Sequence, residues 1–121
     1  MTNRAFHKVI WALVASVGVV VVAASIALAH PTIDIVASNW KFTPAKITIP
    51  VNEPTTLRLT SSSGVHGLES TDLGIAKTTI SPSGFELVTF TPTKPGTYVL
   101  HCAVVCGPGH ADMTLTVVVT P

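Results

Sequence analysis

Hydrophobic positions follow two different patterns along the 121-residue chain. From Val9 to Ala29 the sequence is apolar or small and carries no charged residue. From Thr32 onward apolar and polar positions alternate. Ile33, Ile35 and Ala37 alternate with Thr32, Asp34 and Val36, and Leu57 and Leu59 with Thr56, Arg58 and Thr60. Ile47 and Ile49 precede Pro50, and Phe85, Leu87 and the later Phe90 mark another strand. Tyr98 and Leu100 lead into Cys102, and Met113, Leu115, Val117 and Val119 form a closing stripe. Period-two runs bounded by proline and glycine are the mark of half-buried strands. No stretch after residue 30 keeps a helical period for three turns. About seven short strands joined by turns predict an all-β sandwich or barrel over residues 30–121.

The apolar run has a separate reading. As a helix its 21 residues would rise about 31 Å, which matches a hydrocarbon core of about 30 Å. Arg4 and Lys8 precede it, and no Lys or Arg follows until Lys41. The positive-inside rule then puts residues 1–8 in the cytoplasm and the rest outside. Residues 1–29 are read as one transmembrane anchor. The alternative is a cleaved signal peptide, because Ala27-Leu28-Ala29 is a small-x-small sequence just before His30. Against cleavage, the run exceeds the usual apolar core of about 7–15 residues. Either reading exports residues 30–121. The expected location is a single-pass membrane protein with its β domain on the periplasmic or extracytoplasmic side.

Charged residues make up 11% of the chain, against roughly a quarter in an average protein. Much of that deficit lies in the apolar run. No Lys/Arg cluster or aromatic-basic interleaving is present, so a nucleic-acid partner is not expected. Val, Ile, Leu and Phe persist through the domain, which argues against disorder. There is no Gly-rich phosphate loop, no Ser-His-Asp arrangement and no pair of catalytic carboxylates. A substrate-converting site is therefore not expected.

The chemistry is concentrated in Cys102-Ala-Val-Val-Cys106-Gly-Pro-Gly-His110-Ala-Asp-Met113, on a loop between two predicted strands. An earlier loop, Ser61 to Leu68, offers His66. Thiolate and thioether are soft ligands and imidazole suits copper as well as zinc. A Cys, His and Met mixture in an exported domain points to copper before zinc, which seldom uses Met. Each residue alone has a plainer explanation. Two cysteines in an exported protein are by default a disulfide, although a bridge closing so short a loop restrains little chain entropy. Met113 alone would be core, and His66 and His110 alone would be surface histidines. All of them together at these spacings favour a metal site.

Cys-x3-Cys-x3-His-x2-Met with an upstream His resembles the binuclear CuA motif of the cupredoxin domain found in cytochrome c oxidase subunit II and nitrous oxide reductase. Val65-His66-Gly67, Pro95-Gly96-Thr97-Tyr98 and Cys106-Gly107-Pro108-Gly109-His110 resemble that family's site-forming segments. Trp40-Lys-Phe42-Thr-Pro44 and Ile47-Thr-Ile49-Pro50 resemble its first strands, so the likeness spans residues 32–119. It implies a cupredoxin-like Greek-key β-sandwich and two copper ions. By the same resemblance Cys102 and Cys106 would bridge both coppers, and His66 and His110 would each bind one. Met113 would be a weak axial ligand on one copper and the Val104 carbonyl on the other. His101, on the opposite side of its strand from Cys102, is read as outside the ligand set.

The implied function is electron transfer, as the electron-receiving subunit II of a haem-copper oxidase, here with a single anchor. Its partners would be oxidase subunit I and a cytochrome c or small copper protein as donor. The absence of a large propeller domain argues against nitrous oxide reductase. One competing reading is a free mononuclear blue-copper carrier using His66, one Cys, His110 and Met113, in which Cys102 would have no role. A copper-binding module is another, for which exposed His or Met clusters would be expected. If the chain were cut after Ala29, the amine and imidazole of His30 could also hold copper.

Overall fold

The alternation in Thr32–Ser38 becomes strand β1, with Ile35 and Ala37 turned inward and Asp34 in water. The computed structural model describes residues 17–24 and 30–121. Eight more strands follow: β2 (Lys41–Thr43), β3 (Lys46–Pro50), β4 (Thr55–Ser61), β5 (His66–Ser70), β6 (Ile75–Ile80), β7 (Phe85–Phe90), β8 (Gly96–His101) and β9 (Thr114–Thr120). A 3-10 turn, His110–Asp112, precedes β9. Among the described residues there is no α-helix, so the all-β expectation holds for the domain.

The strands form a four-stranded sheet in the order β2-β1-β4-β7, a three-stranded sheet β3-β9-β8 and a β5-β6 pair. β1 runs parallel to β4 and β3 parallel to β9; the remaining pairings are antiparallel. Parallel neighbours need a crossover connection. Here the crossovers carry the chain from one sheet to the other and produce the sandwich. Ile35, Phe42, Leu57 and Leu59 from the larger sheet and Ile47, Ile49, Leu115 and Val117 from the smaller are buried in one continuous core. Burial of each such side chain contributes roughly 1.5–3 kcal/mol.

Two features go beyond the sequence pattern. β5 begins inside the stretch Ser61 to Leu68 read as loop, and β6 was not read as a strand, because Leu68 and Ser70 flank a bulge and His66, Gly67 and Leu68 are buried in succession. No period of two exists there to find. In β7 the apolar residues have mixed parity: Phe90 is buried, whereas Phe85 and Leu87 lie outside. Pairing with β4 places Leu87 opposite Arg58 and Phe85 opposite Thr60 on the outer face. There the Arg58 guanidinium, 3.4 Å from Asp34, covers the Phe85 ring at 4.6 Å.

β1 gives the domain a polarity. At its start the Pro31 carbonyl accepts the Thr56 N–H (3.0 Å), and at its end the Ala37 carbonyl accepts the Ser62 N–H (2.9 Å). Residues 17–24 are in neither helix nor strand, and no helix among the described residues is long and apolar enough to cross a membrane. The rest of the anchor expected over residues 1–29 lies outside the described residues.

Candidate metal centre

At the end of the sandwich away from Pro31, the ends of β4 and β8 and the starts of β5 and β9 converge. β5 opens on His66, which is fully buried. β8 stops at the exposed His101, and Cys102, the next residue, is buried, as strand alternation requires. Cys102 N–H donates to the Met113 carbonyl (3.0 Å), closing the loop at its base before β9 begins. The loop turns through Gly107-Pro108-Gly109 into the 3-10 turn at His110, and Met113 is wholly buried.

A ring nitrogen of His66 and the sulfurs of Cys102 and Cys106 all lie within 4.8 Å of one another. Both cysteines are free thiols, which removes the disulfide explanation. Cys106 is the hub, with Sγ 3.5 Å from His110 Nδ1 and 3.8 Å from Met113 Sδ. His110 thus joins the group through Cys106. The Cys102 thiol donates to the Val104 carbonyl at 3.1 Å, so that oxygen faces the same sulfur. All six positions singled out in the sequence are brought together.

The donor set suits a soft metal: two thiols, a thioether and two imidazoles. His66 shows most directly that the residues fit one. Its Nε2 lies 2.7 Å from the Ser63 carbonyl, which can only accept, so in the neutral ring the proton is on Nε2. Nδ1 is then a bare lone pair, buried and without a hydrogen-bond partner. Leaving such an atom unsatisfied costs about 1–3 kcal/mol. A metal bound at Nδ1 would remove that cost.

Burial, with the adjacent Cys102 thiol adding to it, pushes the Cys106 thiol from 9.0 up to about 11. In the metal-free site Cys106 is therefore protonated at neutral pH. Metal uptake must release that proton, and it strengthens as the pH rises. A raised thiol pKa also means that the fold favours the protonated form. Its contribution to stability is full below pH 9.0 and is lost as the pH climbs toward about 11. Thermal melts of the reduced, metal-free chain should fall across that window. A Cys106→Ser variant should lose this component, and a wild-type curve identical to that of the variant would contradict the assignment.

Several contributing residues were given no role of their own by the sequence reading. Trp40 Nε1–H donates to the Cys106 carbonyl at 3.0 Å. Ser63 supplies the oxygen that orients His66. Gly67 leaves room for Val104 to lie against β5, where the Gly67 carbonyl accepts the Ala103 N–H (3.0 Å). The glycines of Cys106-Gly-Pro-Gly-His110 were the available signal, since spaced glycines mark places where something packs onto the backbone.

Comparison with known proteins agrees with this architecture. The periplasmic domain of cytochrome oxidase subunit II from Bradyrhizobium japonicum is 19% identical, with a TM-score of 0.69 over 78% of this chain and 87% of that one. A chain of a heme-copper terminal oxidase dimer is 25% identical, with a TM-score of 0.66 over 75% of this chain and 65% of that one. A subunit II of cytochrome c oxidase, captured in a mixed disulfide with a thioredoxin-like protein, is 17% identical, with a TM-score of 0.64 over 82% and 87%. The family model for the cupredoxin-like domain matches residues 9–117. With the sandwich, the two loops that meet at the cysteines and this match in place, the chain belongs to the cupredoxin-like domain family.

Proposed function

We propose that the chain transfers electrons through a binuclear copper centre of the CuA type. His66, Cys102, Cys106, His110 and Met113 would hold the two coppers, with the Val104 carbonyl as a weak ligand. The observation that carries this reading is Cys102. Its sulfur is buried within 4.8 Å of both Cys106 and His66, a place for which a one-thiolate blue-copper site has no use. Bound copper supplies the one-electron couple. The chain's own residues hold the geometry: the Ser63 carbonyl fixes the His66 ring, and the two sheets fix the loops. Ligands contributed by the protein all round leave no open position for a substrate. Val105 in the cysteine loop is 85% exposed and Val65 in the His66 loop is also exposed, apolar side chains that a redox partner would meet on close approach.

In this reading the chain is subunit II of a haem-copper cytochrome c oxidase. It works against subunit I and receives electrons from a cytochrome c or a small copper protein. Residues 1–29 anchor it and residues 30–121 face the periplasm. The likeness to a chain of a terminal oxidase dimer supports the assembly. The mixed disulfide formed by a subunit II relative supports one more partner, a thioredoxin-like protein that would keep Cys102 and Cys106 reduced before copper arrives. Copper analysis and paramagnetic resonance on the copper-loaded chain test the proposal. Two coppers per chain are expected, with one unpaired electron shared between them and more hyperfine lines than one copper nucleus gives. One copper with a single-nucleus pattern would favour the blue-copper carrier.

A further inference from the structure

The turn between β1 and β2 touches both ligand-bearing loops through two consecutive residues. The Asn39 N–H donates to Ser63 Oγ (3.1 Å), and the Ser63 carbonyl holds His66 Nε2. Ser61 Oγ stiffens the same loop by donating to the Gly64 carbonyl (2.6 Å). The next residue along, Trp40, donates from Nε1–H to the Cys106 carbonyl (3.0 Å). Its indole also lies against Gly107 and Gly109. A Cβ at position 107 would come 2.8 Å from Trp40 Nε1, and one at position 109 would come 2.6 Å from Trp40 Cγ. Gly109 directly precedes His110.

The two halves of the cysteine loop are therefore held differently. The Cys102 half is tied to β5 by the Ala103 N–H to Gly67 carbonyl bond. The Cys106–His110 half meets the His66 loop by way of Asn39 and Trp40. We infer that Asn39-Trp40 is a strap that fixes the spacing between the His66 loop and the Cys106–His110 loop, with Trp40 a positioning residue acting through the Cys106 carbonyl. The strap deepens the proposed copper function, because loop spacing sets where the His66 and His110 nitrogens stand relative to the two sulfurs. The coupling itself is a property of the metal-free chain.

The test uses the full chain with Trp40→Phe, Ser63→Ala and both together. In the reduced, metal-free chain, nuclear magnetic resonance follows exchange of the His66 Nε2 proton with solvent. Trp40→Phe removes contacts to the other loop only, the Nε1–H bond and part of the indole packing on Gly107, yet it should speed that exchange about fivefold, the weight of one typical hydrogen bond. In the copper-loaded chain each single change should shift the hyperfine pattern and the reduction potential. The double change should shift them by less than the sum, since both cut the same strap. Glu53→Gln, exposed in the turn before β4 at the Pro31 end of the sandwich, should leave every readout where it was. If Trp40→Phe fails to fold, 3-benzothienylalanine at position 40 keeps the bicyclic shape without the N–H. Unchanged His66 exchange, or additive shifts, would overturn the strap. A single bound copper would overturn the binuclear reading instead, while the metal-free exchange would still decide the strap.

Discussion

Replacing Cys102 by serine should abolish the two-copper spectrum while the domain stays folded. A serine hydroxyl can still donate to the Val104 carbonyl, the partner of the Cys102 thiol at 3.1 Å. The buried polar group thus keeps its bond and the fold loses little. The soft sulfur next to Cys106 and His66 is lost. His66, Cys106, His110 and Met113 remain, a set that suits a single copper with two imidazoles, one thiolate and an axial thioether. Copper content should fall by half or more and the shared-electron pattern should vanish. Copper analysis with optical and paramagnetic spectra reads both. A Cys102→Ser chain with the wild-type spectrum would remove the case for a bridging role.

A second large effect is expected at Gly67, where two segments meet with no room for a side chain. A Cβ there would come 2.7 Å from Val104 Cγ2, 3.2 Å from Val104 N and 3.3 Å from the Thr78 carbonyl. Backbone on both sides prevents easy relief, so Gly67→Ala must push the cysteine loop away from β5. Overpacking of this kind costs about 1–3 kcal/mol. It also moves the Val104 carbonyl, and copper binding should weaken with stability. Adding Val104→Ala removes Cγ2, the nearest obstacle, and should recover part of both losses. Denaturant melts and copper titrations of the single and double variants test this. Equal stability of Gly67→Ala and wild type would show that the contact is relieved at no cost.

The sequence showed most about the core and least about what supports the site. In β9 the residues Leu115, Val117 and Val119 alternate cleanly and are all buried. Cys102, Cys106, His110 and Met113 lie within one short loop, so their spacing alone announced a cluster. His66 was offered by a predicted loop and given its role by the family likeness, yet its strand was not found. β5 buries three residues in a row and carries a bulge, which hides the period of two. Trp40 and Ser63 are distant from the cysteines in sequence and act through main-chain carbonyls and one hydroxyl. Contacts made to a carbonyl leave no trace in residue type at the accepting position. The outward placement of Phe85 and Leu87 was hidden for a related reason: β7 has apolar residues of both parities, and only its pairing with β4 selects the face.

The direction of β1 has a mechanical consequence. Tension arriving at Pro31 acts along the strand, against a parallel ladder with β4 that extends from Thr32–Thr56 to Ala37–Ser61. A ladder loaded along its length resists in shear, so its bonds share the load and do not open one after another. Asn39, which donates to Ser63, and Ser62 of the His66 loop stand at the other end of that ladder, roughly 20 Å away at about 3.3 Å per residue. With residues 1–29 as the proposed anchor, tugging or tilting at Pro31 would be absorbed before it reaches the sulfurs. The proposed copper centre would then keep its shape while the domain moves on that anchor.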